Sequence, residues 1–349
     1  MIVPVLTLPT NFSELTEADQ IAFSDAVKRA GLLGRVAVRV GPTADVSALE
    51  RMLIAASGFC EIKIFPDAGS LDDDFAFSML NAGASHILVS SLPEHSAVPS
   101  DRIQLDQNGV LNPQECDPER IAEEWKSGND QHVDGTDEDA LGELIANTLL
   151  KLLRSDRPDG LWPTVIVDRL GITLGLAYSN EESLRTAIKQ RVGCYWSRSR
   201  NELWIKGATS GATQELVDIR LDCDFDALRF KVEQGPPGFC HEQTHSCFGY
   251  ERSFPEVISR LAERIDGADE KSFTRKLFND PEMLRKKLLE EAGELSEAET
   301  RDDAAWEAAD VLYFSLIAMM RNGAKMPDVY AELAHRMNRV QRRKNKLEQ

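Results

Sequence analysis

The sequence predicts a multidomain chain: an N-terminal α/β domain, a central α+β domain rich in sheet, and an all-α C-terminal domain. Three observations lead there. Short apolar runs alternate with helical patterns over residues 1–127, strands dominate from residue 157, and after Tyr250 only helical spacing of apolar residues remains.

In the first domain, residues 2–7, 35–40, 61–65 and 86–91 read as buried strands, with helices over 16–31, 45–56 and 72–82. This βαβαβαβ order calls for a parallel sheet covered by helices, arranged as a half-barrel or a flavodoxin-like sandwich. The phrase NAGASHILVSS is similar to strand ends of phosphate-binding (β/α) barrels. No phosphate loop, nucleophile elbow or metal cluster accompanies it, and Asp72, Asp73 and Asp74 read as the acidic start of a helix. The sequence assigns this domain no chemistry. Residues 128–156 read as a linker followed by a helix: 128–138 are polar and acidic, His132 is expected in solvent, and Asp137 is expected to cap ALGELIANTLLKLLRS.

In the central domain, residues 157–250, TVIVD and TLGLAYS are strands and EESLRTAIKQR a helix. GCYWSRSRNELWIKG reads as a hairpin turning at Arg200–Asn201. Ser197, Arg198, Ser199 and Arg200, then Lys206, Gly207, Ser210 and Gly211, concentrate donors, cations and flexible backbone in an acidic chain. Arginine forks and closely approaching glycine amides suit a phosphate.

The run LDCDFDALRFKVEQGPPGFCHEQTHSCF holds the densest chemistry. Read as an extended strand, its first part puts Asp222, Asp224 and Asp226 on one face and Cys223 on the other. Hard carboxylate oxygens suit Mg²⁺ and soft thiolates Zn²⁺. Cys240 and Cys247 then complete a three-thiolate site, whose open fourth position marks a catalytic zinc. The plainer reading is a solvated strand face and small buried cysteines. Half of the six cysteines within 25 positions, interleaved with Asp and His, favours metal.

The third domain, residues 251–349, reads as helices over 253–266, 281–300, 302–322 and 326–345. Glu290, Glu291 and Glu294 share the second, and Glu307 and Asp310 the third. Spacings of three and four put carboxylates on neighbouring faces of a helix. If the two helices pack antiparallel, both acidic sets converge on one or two Mg²⁺. Acidic helix faces are commonly just solvated, but the apolar setting of Glu307 and Asp310 (WEAADVLYFSLIAMM) demands a partner. The terminal RVQRRKNK is expected to be a solvated tail.

The 349 residues carry a formal charge of −18, which argues against binding nucleic acid or an anionic membrane. A phosphate-bearing substrate must then be held by local cations or metal. Cys60, Cys116 and Cys194 are scattered, so no disulfide framework emerges and a reducing, cytoplasmic location is expected. MIVPVLTLPTNF lacks a basic start and reads as a first strand rather than a signal peptide. No apolar run approaches the ~18 residues that span a bilayer.

DCDFDAL and CHEQTHSCF, preceded by YWSRSRNELWIKG, resemble phosphoribosyl-AMP cyclohydrolase. SFTRKLF, EEAGE and EAAD resemble phosphoribosyl-ATP pyrophosphohydrolase of the all-α nucleotide pyrophosphohydrolase class. Their order behind an extra domain is similar to the front part of the fungal trifunctional histidine-biosynthesis proteins, without the histidinol dehydrogenase. The resemblance covers about residues 157–345 and implies two hydrolyses, of phosphoribosyl-ATP and then of the adenine ring of phosphoribosyl-AMP. It implies Mg²⁺ on Asp222, Asp224 and Asp226, and Zn²⁺ on Cys223, Cys240 and Cys247 with ligands from both subunits of a homodimer. Ser197 to Arg200, Lys206 and Gly207 would contact substrate, and His241 would shuttle protons, with His245 only lining its loop. Glu290, Glu291, Glu294, Glu307 and Asp310 would form the second metal shell, and Arg275, Lys276 and Lys287 would meet phosphate. The family's Lys-Gly-Glu appears here with Ala208 in place of Glu, which leaves that contact missing.

Overall fold

The computed structural model describes residues 1–9, 11–41, 45–66, 72–106, 108–249, 254–267 and 271–340. They fall into two units, one of residues 1–247 with 330 onward, the other of residues 248–329.

The first unit opens with strands β1 (Ile2–Thr7), β2 (Arg35–Val40), β3 (Glu61–Pro66), β4 (His86–Val89), β5 (Ile103–Leu105) and β6 (Gln131–Asp134). Between them run helices α1 (Glu17–Ala30), α2 (Val46–Ser57), α3 (Asp73–Asn81) and α4 (Pro118–Lys126); α5 (Glu138–Leu152) follows β6. Thr16, Asp45, Asp72 and Asp137 cap α1, α2, α3 and α5 through side-chain oxygens, as their positions before helical spacing dictate.

All six strands are parallel, in the order β5-β4-β3-β2-β1-β6. Sequential addition from β1 to β5 is the winding of a half-barrel. A flavodoxin-like sheet would need β2 and β3 on opposite sides of β1, so that alternative falls. Strand alternation divides the residues between two layers: Val36, Val38 and Val40 join the core under α1 and α2, while Ala37 joins Val3, Val5 and Leu88 on the other face.

That second face is lined with polar groups, and it curls until the sheet's two edges meet. Lys63, 1 % exposed, reaches Gln104 and Asp130 at 2.7 Å each. Asp106 beside β5 meets His132 of β6 at 2.9 Å. Two expectations are corrected here. Residues 131–134, read as linker, form an interior strand beside β1, and His132 is 5 % exposed rather than solvated. A short polar run gives no apolar periodicity, and only closure of the sheet supplies His132 with its buried partner.

The same unit continues with β7 (Trp162–Val167), β8 (Thr173–Ser179), α6 (Glu181–Gln190), β9 (Cys194–Ser197), β10 (Glu202–Ile205), β11 (Gln214–Leu221) and β12 (Leu228–Gln234). Four strands form a sheet ordered β11-β12-β7-β8, and β9 with β10 form the expected hairpin, its turn spanning residues 198–201. One core runs from Ile2 and Val133 through α5 to Ile166, Tyr195 and Phe230, so the half-barrel and this sheet share their interior. The Ile219 amide donates to Leu32 O across the junction at 2.9 Å.

The second unit holds α7 (Phe254–Gly267), α8 (Phe273–Asn279), α9 (Pro281–Glu297) and α10 (Arg301–Arg321). Leu277, Leu284, Phe314 and Ile317 form its core. Helix α8 was not anticipated, although Ser272 at its start and Pro281 just past its end mark it. The last helix, α11 (Met326–Asn338), belongs from Tyr330 onward to the first unit. There His335 packs over Gly83, and Asn338 Nδ2 donates to Gly83 O at 2.9 Å. Gly83 has φ +109°, and an added Cβ would stand 3.2 Å from the His335 ring. Of the expected solvated tail, Arg339 instead bonds His335 at 2.8 Å; residues 341–346 lie outside the described residues.

Candidate functional site

The sheet-rich part of the first unit, residues 157–247, carries its candidate residues on two loops and one hairpin. The loop after β12 folds on itself: Phe239 N donates to His245 O, Cys240 N to Thr244 O, and Gln243 N to Cys240 O. It is tied to β8 through Cys247 N to Leu174 O at 2.8 Å and Ser246 Oγ to Thr173 O at 2.8 Å. Phe239 lies against Gly175, where an added Cβ would meet its ring at 2.2 Å. That close approach explains a glycine in mid-strand.

The fold sets Cys240 and Cys247 close enough that each thiol acts on the other. The Glu242 amide and the Thr244 hydroxyl hold the Cys240 thiol below its usual range. Burial and the neighbouring sulfur push Cys247 up to about 11. The β9–β10 hairpin delivers Lys206 to this pair. Its ammonium is buried over the Phe239 ring at 5.4 Å; burial lowers its pKa and the two sulfurs oppose that. Gly207, at φ +84°, allows the chain to turn there, since a Cβ would strike the backbone at Ala212–Thr213 within 2.5 Å.

His241 Nδ1 sits 3.8 Å from the Cys240 sulfur with its side chain exposed. His245 does more than line the loop. Its Nε2 lies 2.9 Å from Asp168 Oδ2, while Asp168 Oδ1 accepts from the Leu170 and Ile172 amides at 2.9 Å each. Asp168, buried at the end of β7, is a residue the sequence reading missed; its separation of 77 positions left no local signal.

The DCDFD segment corrects the strand expectation. Residues 222–227 form the β11–β12 turn, with Phe225 in left-handed backbone at φ 64°. Asp222 caps that turn, accepting from Asp226 N at 3.0 Å and Ala227 N at 3.2 Å. The three aspartates still converge, within 4.8 Å of one another. Burial opposes the Asp222 charge, but the Ala227 and Asp226 amides outweigh it and its carboxyl lies low. The hydrogen bond with Asp222 and the nearby Asp224 charge push Asp226 up. Oxygen donors crowded this way fit a hard divalent cation. Cys223, exposed on the turn, does not join the other two thiols within one chain.

Around the hairpin turn, Arg198 stacks on the Tyr178 ring at 3.8 Å and Arg157 on the same ring at 4.7 Å. Arg200 donates to Ser197 at 3.2 Å and pairs with Glu202 at 3.1 Å. Ser199 and Ser210 are exposed.

In the helical unit, Glu291, Glu294 and Glu307 converge within 4.8 Å of one another. Helices α9 and α10 do form the expected pair. Glu307 Oε2 is buried without a partner, and burial, then Glu294, Glu291 and Asp310, push its carboxyl up. A cation held by the trio would supply compensation for that carboxylate. Glu290 stands outside that trio and pairs with Lys287 at 3.1 Å; Asp310 contributes charge but not a third-helix ligand to the trio. Lys287 also reaches Glu291 at 3.3 Å, so it is engaged with carboxylates. Arg275 and Lys276 lie on α8.

The thiol pair, the aspartate trio and the glutamate trio are the clustered chemistry of a chain of the hydrolase class. Residues 175–249 match the family of phosphoribosyl-AMP cyclohydrolase, and residues 254–337 that of phosphoribosyl-ATP pyrophosphohydrolase. The chain is 40% identical over 286 residues to the histidine biosynthesis trifunctional protein of Saccharomyces cerevisiae, 79% of this chain and 35% of that protein. It is 43% identical over 200 residues to the histidine biosynthesis bifunctional protein his7 of Schizosaccharomyces pombe, 57% of this chain and 48% of that protein. With the histidine biosynthesis bifunctional protein HisIE of Prochlorococcus marinus it shares 38% identity over 212 residues, 54% of this chain and 96% of that protein. The chain belongs to this family of joined cyclohydrolase and pyrophosphohydrolase domains. It spans about a third of the length of the S. cerevisiae relative. No helix among the described residues is long and apolar enough to cross a membrane.

Proposed function

We propose that this chain carries out two successive hydrolyses in histidine biosynthesis. The helical unit splits phosphoribosyl-ATP into phosphoribosyl-AMP and pyrophosphate. The sheet-rich part of the first unit then adds water across N1–C6 of the adenine ring and opens it. What carries this reading is that the thiol pair and the glutamate trio each fall inside the stretch matched by the corresponding family.

Cys240 and Cys247, with Cys223 from a second copy, would hold Zn²⁺; Asp222, Asp224 and Asp226, and separately Glu291, Glu294 and Glu307, would hold Mg²⁺. Zn²⁺ supplies a Lewis acid that makes water nucleophilic near neutral pH, and Mg²⁺ neutralises phosphate charge. The separation of Cys223 from the other thiols in one chain supports a site shared across a homodimer. Free thiolates also need a reducing compartment, such as the cytoplasm.

The residues of the chain divide the remaining work. His241, exposed beside Cys240, transfers protons to and from the reacting ring. His245 is fixed by Asp168 on the same loop. Lys206 keeps a cation against the thiols in an otherwise acidic chain. Arg198, braced on Tyr178, and Arg200 with Ser197, Ser199, Gly207 and Ser210 receive the phosphates. In the helical unit, Arg275 and Lys287 meet the phosphates, while Glu290 and Asp310 complete the acidic surroundings and orient water.

The test is direct. Purified protein supplied with both ions should convert phosphoribosyl-ATP to phosphoribosyl-AMP and pyrophosphate, and the phosphoribosyl-AMP then to the ring-opened ribotide. Failure to consume either compound would overturn the assignment.

A further inference from the structure

The loop that carries Cys240 and Cys247 reaches the sheet by two unequal routes. Cys247 is tied to β8 directly: its amide donates to Leu174 O at 2.8 Å, and the neighbouring Ser246 hydroxyl donates to Thr173 O at 2.8 Å. The Cys240 arm bonds to its own loop instead. Phe239 N donates to His245 O at 3.2 Å, and Cys240 N to Thr244 O at 3.1 Å. The Phe239 ring against Gly175 brings that arm near β8, but an apolar contact has no direction. The place of the Cys240 sulfur therefore follows the backbone of residues 244 and 245.

His245 fixes that backbone from the side. Its Nε2 lies 2.9 Å from Asp168 Oδ2. Asp168 directly follows β7, is buried, and is itself held: its Oδ1 accepts from the Leu170 and Ile172 amides at 2.9 Å each, and its amide donates to Ile172 O at 2.9 Å. One carboxylate oxygen thus closes the β7–β8 turn while the other takes the imidazole. A hydrogen bond to a carboxylate is stronger and more directional than one between neutral groups. Two sulfur donors on a loop must be brought together before one ion can join them, and ordering done in advance adds to the affinity for that ion.

We propose that His245 is a positioning residue of the thiol pair: through Asp168 it anchors the Cys240 arm to the end of β7, so that Cys240 and Cys247 are set together before an ion arrives. This rests on the reading of those thiols as zinc ligands. The zinc affinity of the full chain, measured by competition with a chromophoric chelator, tests it in wild type, His245→Ala and His245→Gln. The His245 side chain is 47 % exposed, so alanine opens no cavity, and glutamine keeps a donor for Asp168. Melting curves in chelator check that both variants fold.

Zinc should bind His245→Ala at least about tenfold more weakly than wild type, and glutamine should restore affinity to within about threefold. Wild-type affinity in His245→Ala, or an equal loss in the alanine and glutamine variants, would overturn the proposal and leave the zinc reading standing. A wild-type chain that takes up no zinc would overturn both.

Discussion

His132 Nδ1 stands 2.9 Å from Asp106 Oδ1, and through that contact the two edge strands of the six-stranded sheet are joined. Both side chains are almost fully buried, at 6 % and 4 % exposure. Removing one partner strands the other, so His132→Leu or Asp106→Leu should each cost about 2–3 kcal/mol. The double change should cost less than the sum. Urea unfolding checks this, and strict additivity would show that the pair does not couple.

The position of Cys223 predicts subunit sharing. Cys223→Ser and Cys240→Ser should each abolish ring opening when purified alone. Mixed, unfolded and refolded together, they should recover roughly a quarter of wild-type turnover, because half of the dimers then carry one intact site. No recovery would place all three thiols within a single chain.

Glu307→Gln should separate stability from turnover. The raised Glu307 carboxyl costs the ion-free helical unit stability as pH climbs from the ordinary value of 4.5 through the shifted pKa, and the penalty is absent below the ordinary value. Glutamine removes that slope and should raise the unfolding temperature in chelator, while pyrophosphate release falls by at least ~10-fold. Adding Mg²⁺ should stabilise wild type more than the variant. An unchanged rate of pyrophosphate release would exclude Glu307 from the site.

Glu61 predicts an acid limb in the stability of the first unit. His86, hydrogen-bonded to it, lowers its pKa to about 2 against burial, and Arg35 at 3.2 Å adds to the effect. A depressed carboxyl contributes stability that is whole above its ordinary value of 4.5 and is lost as pH falls toward 2. Glu61→Gln should lower the melting temperature at pH 7 and narrow its difference from wild type by pH 3. Parallel curves across that range would refute the assignment.

Metal removal should act on the two activities separately. A chelator selective for zinc should silence ring opening and leave pyrophosphate release running on added Mg²⁺. Simultaneous loss of both would mean that one ion serves both reactions.

Periodicity by itself pointed to a parallel sheet in the first strands, to the hairpin turning near Arg200–Asn201 and to the helical end, because apolar spacing reports which face is buried, while the strand order and the pairing of α9 with α10 came from the structure. Motif spacing also brought out the thiols and both acidic groups as chemistry. Only the tertiary structure decided that residues 222–227 turn rather than extend, since one left-handed residue, Phe225, undoes the alternation of a strand. It alone buried His132 against Asp106, fixed His245 on Asp168 and held Cys223 away from Cys240 and Cys247. These are contacts between positions far apart in the chain or choices between turn and strand, and local sequence patterns carry no distance information about them.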